Sequence, residues 1–252
     1  MKNKSLIPVW KPQGWTPLKA VGELRRKMPE YKDKKISYAG RLDPMAEGVL
    51  LLLVGQENKK RKEYEGLSKV YISEIVLGIS TDSFDALGII YSIELGNLPS
   101  KEEIEECLKK FIGQQDQVYP PYSSKTVNGK SLIWWTKENR LLEIEMPKKE
   151  IEIYSLSLDS TEMVYAPVLF ENIKTRIKRV EGNFRQEEIL KAWKKFAEKN
   201  QKEKLLIIKI KISCSSGTYI RRLASDIGED LGCGAFALSI TRTSVGDYSK
   251  ED

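Results

Sequence analysis

The chain has 252 residues, 40% of them apolar and 31% charged, with a net charge of +6, a length that supports one large domain or two small ones around a sizeable core. Its longest apolar run, Val49 to Val54, falls far short of the roughly 20 residues that span a bilayer, and Met1 to Val9 holds no secretory h-region, so no membrane association and a cytoplasmic location are expected. There is no histidine, which excludes Ser-His-Asp and Cys-His nucleophiles, His-ligated zinc and imidazole acid–base schemes.

In chain order, residues 16 to 28 read as a short helix, with Leu18, Val21, Leu24 and Met28 on one side and Lys19, Arg25 and Arg26 open to solvent or ligand, and Pro29 stops it. Val49 to Val54 reads as a buried strand. Strands are expected at 69–77 and 88–93, joined as a hairpin by the long loop Gly78 to Asp85. Ser100 and Glu103 form a capping box ahead of Ile104, Cys107, Leu108 and Phe111 at helical spacing, with Gly113 closing the helix. Pro120-Pro121 opens an irregular segment, and 150–158 alternates as a half-buried strand. Residues 187–199 form a second helix, Ile189, Leu190, Trp193, Phe196 and Ala197 on one side and Lys191, Lys195 and Lys199 on the other. A strand at 205–212 and a final helix with Ile220, Leu223, Ala224, Ile227 and Leu231 in its apolar stripe complete the chain. Strands and helices do not alternate regularly, which favours an α+β fold with a central mixed or antiparallel sheet flanked by helices. The three cysteines, Cys107, Cys214 and Cys233, are widely spaced and suggest neither a disulfide framework nor a metal site.

The positive charge is concentrated. Residues 1–35 hold ten basic and three acidic groups, and residues 174–211 hold thirteen and five, so the remainder of the chain is negative. Such asymmetry suits a polyanion-binding surface, or else two solvated lysine-rich faces. Three carboxylates, Asp43, Asp82 and Asp85, sit beside glycine or proline turns. Turn formation is the plain reading for Asp82 and Asp85; Asp43, between two glycines and just before the buried strand, is held on a firmer element.

Gly40-Arg-Leu-Asp-Pro-Met-Ala-Glu-Gly-Val-Leu50 resembles the Gly-x-Leu-Asp-Pro-x-Ala-x-Gly-x-Leu signature of the TruB family of tRNA pseudouridine synthases. Four further blocks are similar to that family in the same order: Lys11 to Thr16; Lys69-Val-Tyr71 with Leu77 to Gly88; Pro120 to Lys130; and Cys214 to Arg221 through Gly232 to Ala235. The resemblance implies cofactor-free isomerisation of uridine to pseudouridine in the T loop of tRNA, at position 55, with the T-arm of tRNA as partner and no obligate protein partner. It assigns Asp43 as the essential carboxylate, Tyr71 as the aromatic partner of a flipped base and Arg221 as the arginine that would hold Asp43 through a bidentate pair. Substrate contacts are expected from Tyr38, Arg41, Lys11, Lys19, Arg25, Arg26, Asp82, Lys125 and Lys130. Tyr38 stands where the family commonly has histidine, and an aromatic ring there can still stack.

The blocks are interrupted between about 157 and 204, the most basic part of the chain. The expectation is one catalytic domain over 1–252 with a basic insertion at 157–204 and no C-terminal PUA-type domain, the insertion partly taking that domain's place by presenting Lys191, Lys195 and Lys199 to RNA. A catalytically silent RNA-binding or RNA-folding protein, a pseudouridine synthase for another RNA and a two-carboxylate glycosidase using Asp43 with Asp82 or Asp85 are the competing readings.

Overall fold

A computed structural model describes residues 5–96 and 98–250. The first half of the chain runs through β1 (Leu6–Lys11), α1 (Pro17–Lys27), β2 (Ile36–Ala39), β3 (Ala46–Val54), α2 (Arg61–Gly66), β4 (Lys69–Leu77), β5 (Ile79–Thr81), β6 (Ile90–Ile93), α3 (Lys101–Lys110) and β7 (Gly113–Val118). The second half adds β8 (Thr126–Val127), β9 (Lys130–Ser131), α4 (Leu132–Lys137), β10 (Lys148–Tyr165), α5 (Ala166–Lys178), α6 (Gln186–Lys199), β11 (Lys204–Cys214), α7 (Ile220–Asp230), β12 (Ala235–Val245) and β13 (Tyr248–Ser249).

Nine strands form one mixed sheet whose main path is β1-β3-β12-β4-β11-β10-β7, with β2 beside β3 and β13 beside β12. Pairing is antiparallel except where β12 meets β3. This is the expected α+β architecture. The expected hairpin is not present as drawn, because Gly78, at φ +89°, turns the chain out of the sheet after Leu77. β4 therefore pairs with β11 and β12, and the hairpin forms between β5 and β6 instead.

Alternation along the central strands sends side chains to both faces. On one face Ile75 and Leu77 of β4 and Ile208, Ile210 and Ile212 of β11 pack under α3 and α7. On the other, Val76, Leu205 and Ile207 meet Leu169, Ile173 and Ile177 of α5 and Ile189, Trp193 and Phe196 of α6. The segment 157–204 is thus not an appendage: it contributes the end of β10 and the two helices that cover this face. Trp193 is fully buried, with its Nε1 donating to the Gly88 carbonyl at 3.3 Å.

Local signals explain the helix limits. Thr16 caps α1 by accepting from the Lys19 N–H, and the Ser100–Glu103 capping box closes in both directions. α1 is rotated from the expected orientation: Pro17, Ala20, Val21 and Leu24 are its buried residues, while Leu18 is 71% exposed and Met28, just after the helix, is also exposed. Among the described residues no helix is long and apolar enough to cross a membrane.

Candidate active site

Asp43 lies in the turn that carries the chain from β2 into β3, between Leu42, buried in the core under α3 and α7, and Met45, buried in the core under α5 and α6. Two braces hold this turn. From β1, the Lys11 Nζ donates to the carbonyls of Ala46 (2.6 Å), Trp15 (2.8 Å) and Pro12 (3.1 Å), and the Gly14 N–H donates to Pro44 at 2.8 Å. From β12, Arg242 donates to the carbonyls of Val49 (2.8 Å) and Gly40 (2.9 Å). Gly48 is required at this crossing: its φ is +120°, and an added Cβ would lie 2.1 Å from the Arg242 carbonyl oxygen.

Arg221, on the first turn of α7, comes to Asp43 from the other side. Its Nε donates to Asp43 Oδ2 at 2.9 Å, Nη1 to the Ser83 carbonyl at 2.9 Å and Nη2 to the Tyr122 carbonyl at 2.8 Å. The pair is therefore not the bidentate one expected from the sequence. One edge of the guanidinium holds the carboxylate and the rest is fixed by backbone, which compensates a charge whose side chain is only 4% exposed. Asp43 itself is 34% exposed, leaving its carboxylate open to a ligand.

Tyr71 projects from β4 into the same region, 7% exposed and packed with Leu42 and Ala46. Burial pushes its phenol pKa up, opposed by the neighbouring Arg242; the hydroxyl is thus kept neutral, suited to a floor and a hydrogen bond rather than to a phenolate base. Asp85, 6% exposed, accepts from Ser83 Oγ (2.6 Å) and the Leu87 N–H (2.9 Å). Burial raises its pKa to about 6 against the opposing charge of Arg221.

Asp82 keeps the expected turn role, Oδ1 accepting from the Ile89 N–H at 2.9 Å, and adds a second one. Its carboxylate takes the Arg185 guanidinium at 2.8 and 3.3 Å and the Tyr122 hydroxyl at 3.2 Å. Asp43, Arg221, Tyr71, Asp82 and Asp85 are thus gathered by four segments of the chain, with Tyr122, Ser83, Arg242 and Arg185 as members that sequence reasoning did not single out. Tyr122 lies within the Pro120 block, so a signal was there; nothing marks Arg185.

The expected RNA contacts divide. Lys11 is a correction: it is wholly buried and bonded to three carbonyls, and burial lowers its pKa to about 8, so it braces the Asp43 turn and does not face a ligand. Tyr38 packs its ring against the α1 core, with Arg61 5.8 Å above it. Arg41 is exposed. On α1, Lys19 lies 3.4 Å from Glu181, Arg26 forks onto Glu23 and Arg25 reaches the Lys34 carbonyl. Lys125 and Lys130, just before and within the β8–β9 hairpin, lie over Tyr119 and Trp134 at 5.5 and 5.2 Å. Lys191, Lys195 and Lys199 are exposed on α6 and make no ion pair or hydrogen bond among the described residues. No cluster of three or more His, Cys, Asp or Glu side chains able to hold a metal is found among the described residues.

Residues 26–184 match the profile of the TruB family pseudouridylate synthase N-terminal domain. The chain is 34% identical to a tRNA pseudouridine synthase B of Oceanobacillus iheyensis over 98% of its own length and 67% of the relative's. It is 33% identical to that of Listeria monocytogenes (98% and 68%) and 31% identical to that of Thermotoga maritima (100% and 66%), so it spans about two thirds of these relatives. The protein of a Cbf5-Nop10-Gar1 complex shares the fold at a TM-score of 0.58 and 18% identity, covering 97% of this chain and 50% of that one. A family profile matched across more than half of the chain, together with relatives above 30% identity along nearly all of it, shows that this chain belongs to the TruB family of pseudouridylate synthases.

Proposed function

We propose that the chain isomerises a flipped-out uridine in the T loop of tRNA, the pseudouridine-55 position, with Asp43 as its catalytic carboxylate. The observation that carries this reading is the Asp43–Arg221 pair: an acid held by a fully anchored arginine yet open on one side. Its relatives' names, tRNA pseudouridine synthase B, supply the substrate class. The reaction breaks the N1–C1′ bond and joins C5 to C1′; the C5 proton leaves and N1 gains one, so no co-reactant is consumed. A carboxylate suits it because a negative oxygen at the glycosidic centre can act as nucleophile or stabilise developing positive charge. Arg221 fixes where that oxygen sits, and the Tyr71 ring forms a flat floor for the extruded base.

Extruding a base from folded RNA costs a few kcal/mol, which phosphate contacts must offset. Lys19, Arg25, Arg26, Arg41, Lys125 and Lys130 are the proposed contributors, with Lys191, Lys195 and Lys199 of α6 as a second surface. The exposure of all but the half-buried Lys19 supports this role, since counterion release requires cations that phosphate can reach. The test is incubation with an unmodified tRNA transcript followed by chemical mapping of pseudouridine. One new pseudouridine in the T loop is expected; modification only elsewhere, or none, overturns the assignment.

A further inference from the structure

Resting on that reading, we propose that Arg185 is a positioning residue for the Asp43–Arg221 pair, acting from the α5–α6 connection through Asp82 and Tyr122. Arg185 holds a left-handed backbone (φ 63°, ψ 27°), uncommon for a side chain with a Cβ. Its connection is fastened around it. Gln186 Nε2 donates to the carbonyls of Gly182 (2.6 Å) and Val180 (3.2 Å), its Oε1 accepts from the Phe184 N–H at 2.8 Å, and the Glu181 N–H donates to Gly14 at 3.2 Å. Gly14 belongs to the brace under Asp43, and a Cβ on it would strike the Arg179 carbonyl oxygen at 2.0 Å. The connection is therefore seated on the Asp43 turn through Gly14, which bonds to both.

From that seat the Arg185 guanidinium lies 4.7 Å from the centre of the Tyr122 ring and forks onto both Asp82 oxygens, while the Tyr122 hydroxyl closes onto Asp82 Oδ2. Both backbone acceptors of Arg221 are tied to this cluster. One is the carbonyl of Tyr122 itself; the other belongs to Ser83, next to Asp82. Fixing Asp82 and Tyr122 fixes these two oxygens, they fix the guanidinium plane, and its Nε sets the Asp43 rotamer. An RNA-phosphate role fits Arg185 less well than the exposed cations, because its guanidinium is part-buried, held by both Asp82 oxygens and laid over the Tyr122 ring.

The experiment compares the whole chain with Arg185→Gln, Arg185→Lys, Asp82→Asn and the Arg185→Gln/Asp82→Asn double variant. It reads the single-turnover rate on saturating tRNA, the tRNA Kd with its salt slope, the unfolding midpoint, and exchange of the Arg221 Nε–H with water by NMR. Arg185→Gln should slow the reaction roughly tenfold and speed that exchange by a similar factor, with Kd and salt slope unchanged. Arg185→Lys should lose nearly as much, because an ammonium cannot fork, and the double variant should be no slower than Arg185→Gln alone. A wild-type rate and exchange in folded Arg185→Lys overturns the proposal even if Arg185→Gln does not fold. Weaker binding with a flatter salt slope at an unchanged rate would make Arg185 a phosphate contact. The exchange readout needs no turnover, so an inactive wild type would contradict the activity reading while the positioning role is still judged.

Discussion

Arg221 and the lysines of α6 carry the same charge under opposite conditions. Arg221 is 3% exposed and gives Nε, Nη1 and Nη2 to three different acceptors, whereas Lys191, Lys195 and Lys199 are exposed and bond to nothing among the described residues. A buried cation with every nitrogen engaged cannot adjust, and that is what a reaction needs when an ångström of misplacement costs roughly a hundredfold in rate. A solvated lysine is of little use for geometry, but it releases counterions when a phosphate replaces them. On the proposed function, the work of aiming one carboxylate is separated from the work of holding a long polyanion, and each task falls where its physics is favourable.

This division can be broken from either side. The largest effect is expected from Asp43→Asn, which removes the negative oxygen and almost no contact area: pseudouridine formation should be abolished while tRNA affinity stays within about tenfold. Arg221→Lys should come next. An ammonium is a single nitrogen and cannot span acceptors that meet three different nitrogens of a planar guanidinium, so the single-turnover rate should fall roughly a hundredfold with binding little changed; a rate near wild type would show that the anchored guanidinium is not needed. The docking of α6 is tested by Trp193→Ala, which empties a fully buried site and should cost about 3–5 kcal/mol in denaturant unfolding. A loss below about 1 kcal/mol would mean that the helix is not part of the cooperative core.

The smallest effect concerns pH. The pKa of Asp85 is raised to about 6 in the fold by burial, so the folded state binds its proton more tightly than the unfolded chain. The stability contribution is therefore fully present below the unfolded carboxylate pKa of about 4 and is lost as pH rises through about 6. Asp85→Asn cannot lose it. The midpoint of this variant minus that of wild type should increase between pH 4 and pH 7, and a difference independent of pH would remove Asp85 as a buried titrating group.

Several parts of this arrangement are legible in the amino-acid order. α3, α6 and α7 follow from apolar spacing, because each buries one stripe, with a capping box added at α3, and motif resemblance singles out Asp43, Tyr71 and Arg221, whose side chains the fold brings to one region. In α1, Leu18 and Met28 fit the stripe by spacing, yet the residues the fold buries there are Pro17, Ala20, Val21 and Leu24. α5 is hidden within a basic segment although Leu169, Ile173 and Ile177 keep a spacing of four. The buried role of Lys11 is not legible because its partners are main-chain carbonyls, which no side-chain pattern announces. Arg185 escaped for a related reason: its partner Asp82 is about a hundred positions away and is brought to it only when α5 and α6 fold over the sheet.

The most direct test of the division between aim and hold measures tRNA affinity, its salt dependence and the single-turnover rate on saturating tRNA side by side for two variants, Asp43→Asn and the triple Lys191→Gln/Lys195→Gln/Lys199→Gln. The prediction is a crossed result. The aspartate variant binds with affinity within about tenfold of wild type and forms no pseudouridine, while the lysine variant binds more weakly, with the salt slope flattened by roughly one unit per lost contact, and converts bound tRNA at the wild-type rate. Pseudouridine formed by Asp43→Asn, or a triple variant with unchanged affinity and salt slope or with a slowed reaction on bound tRNA, would contradict the account.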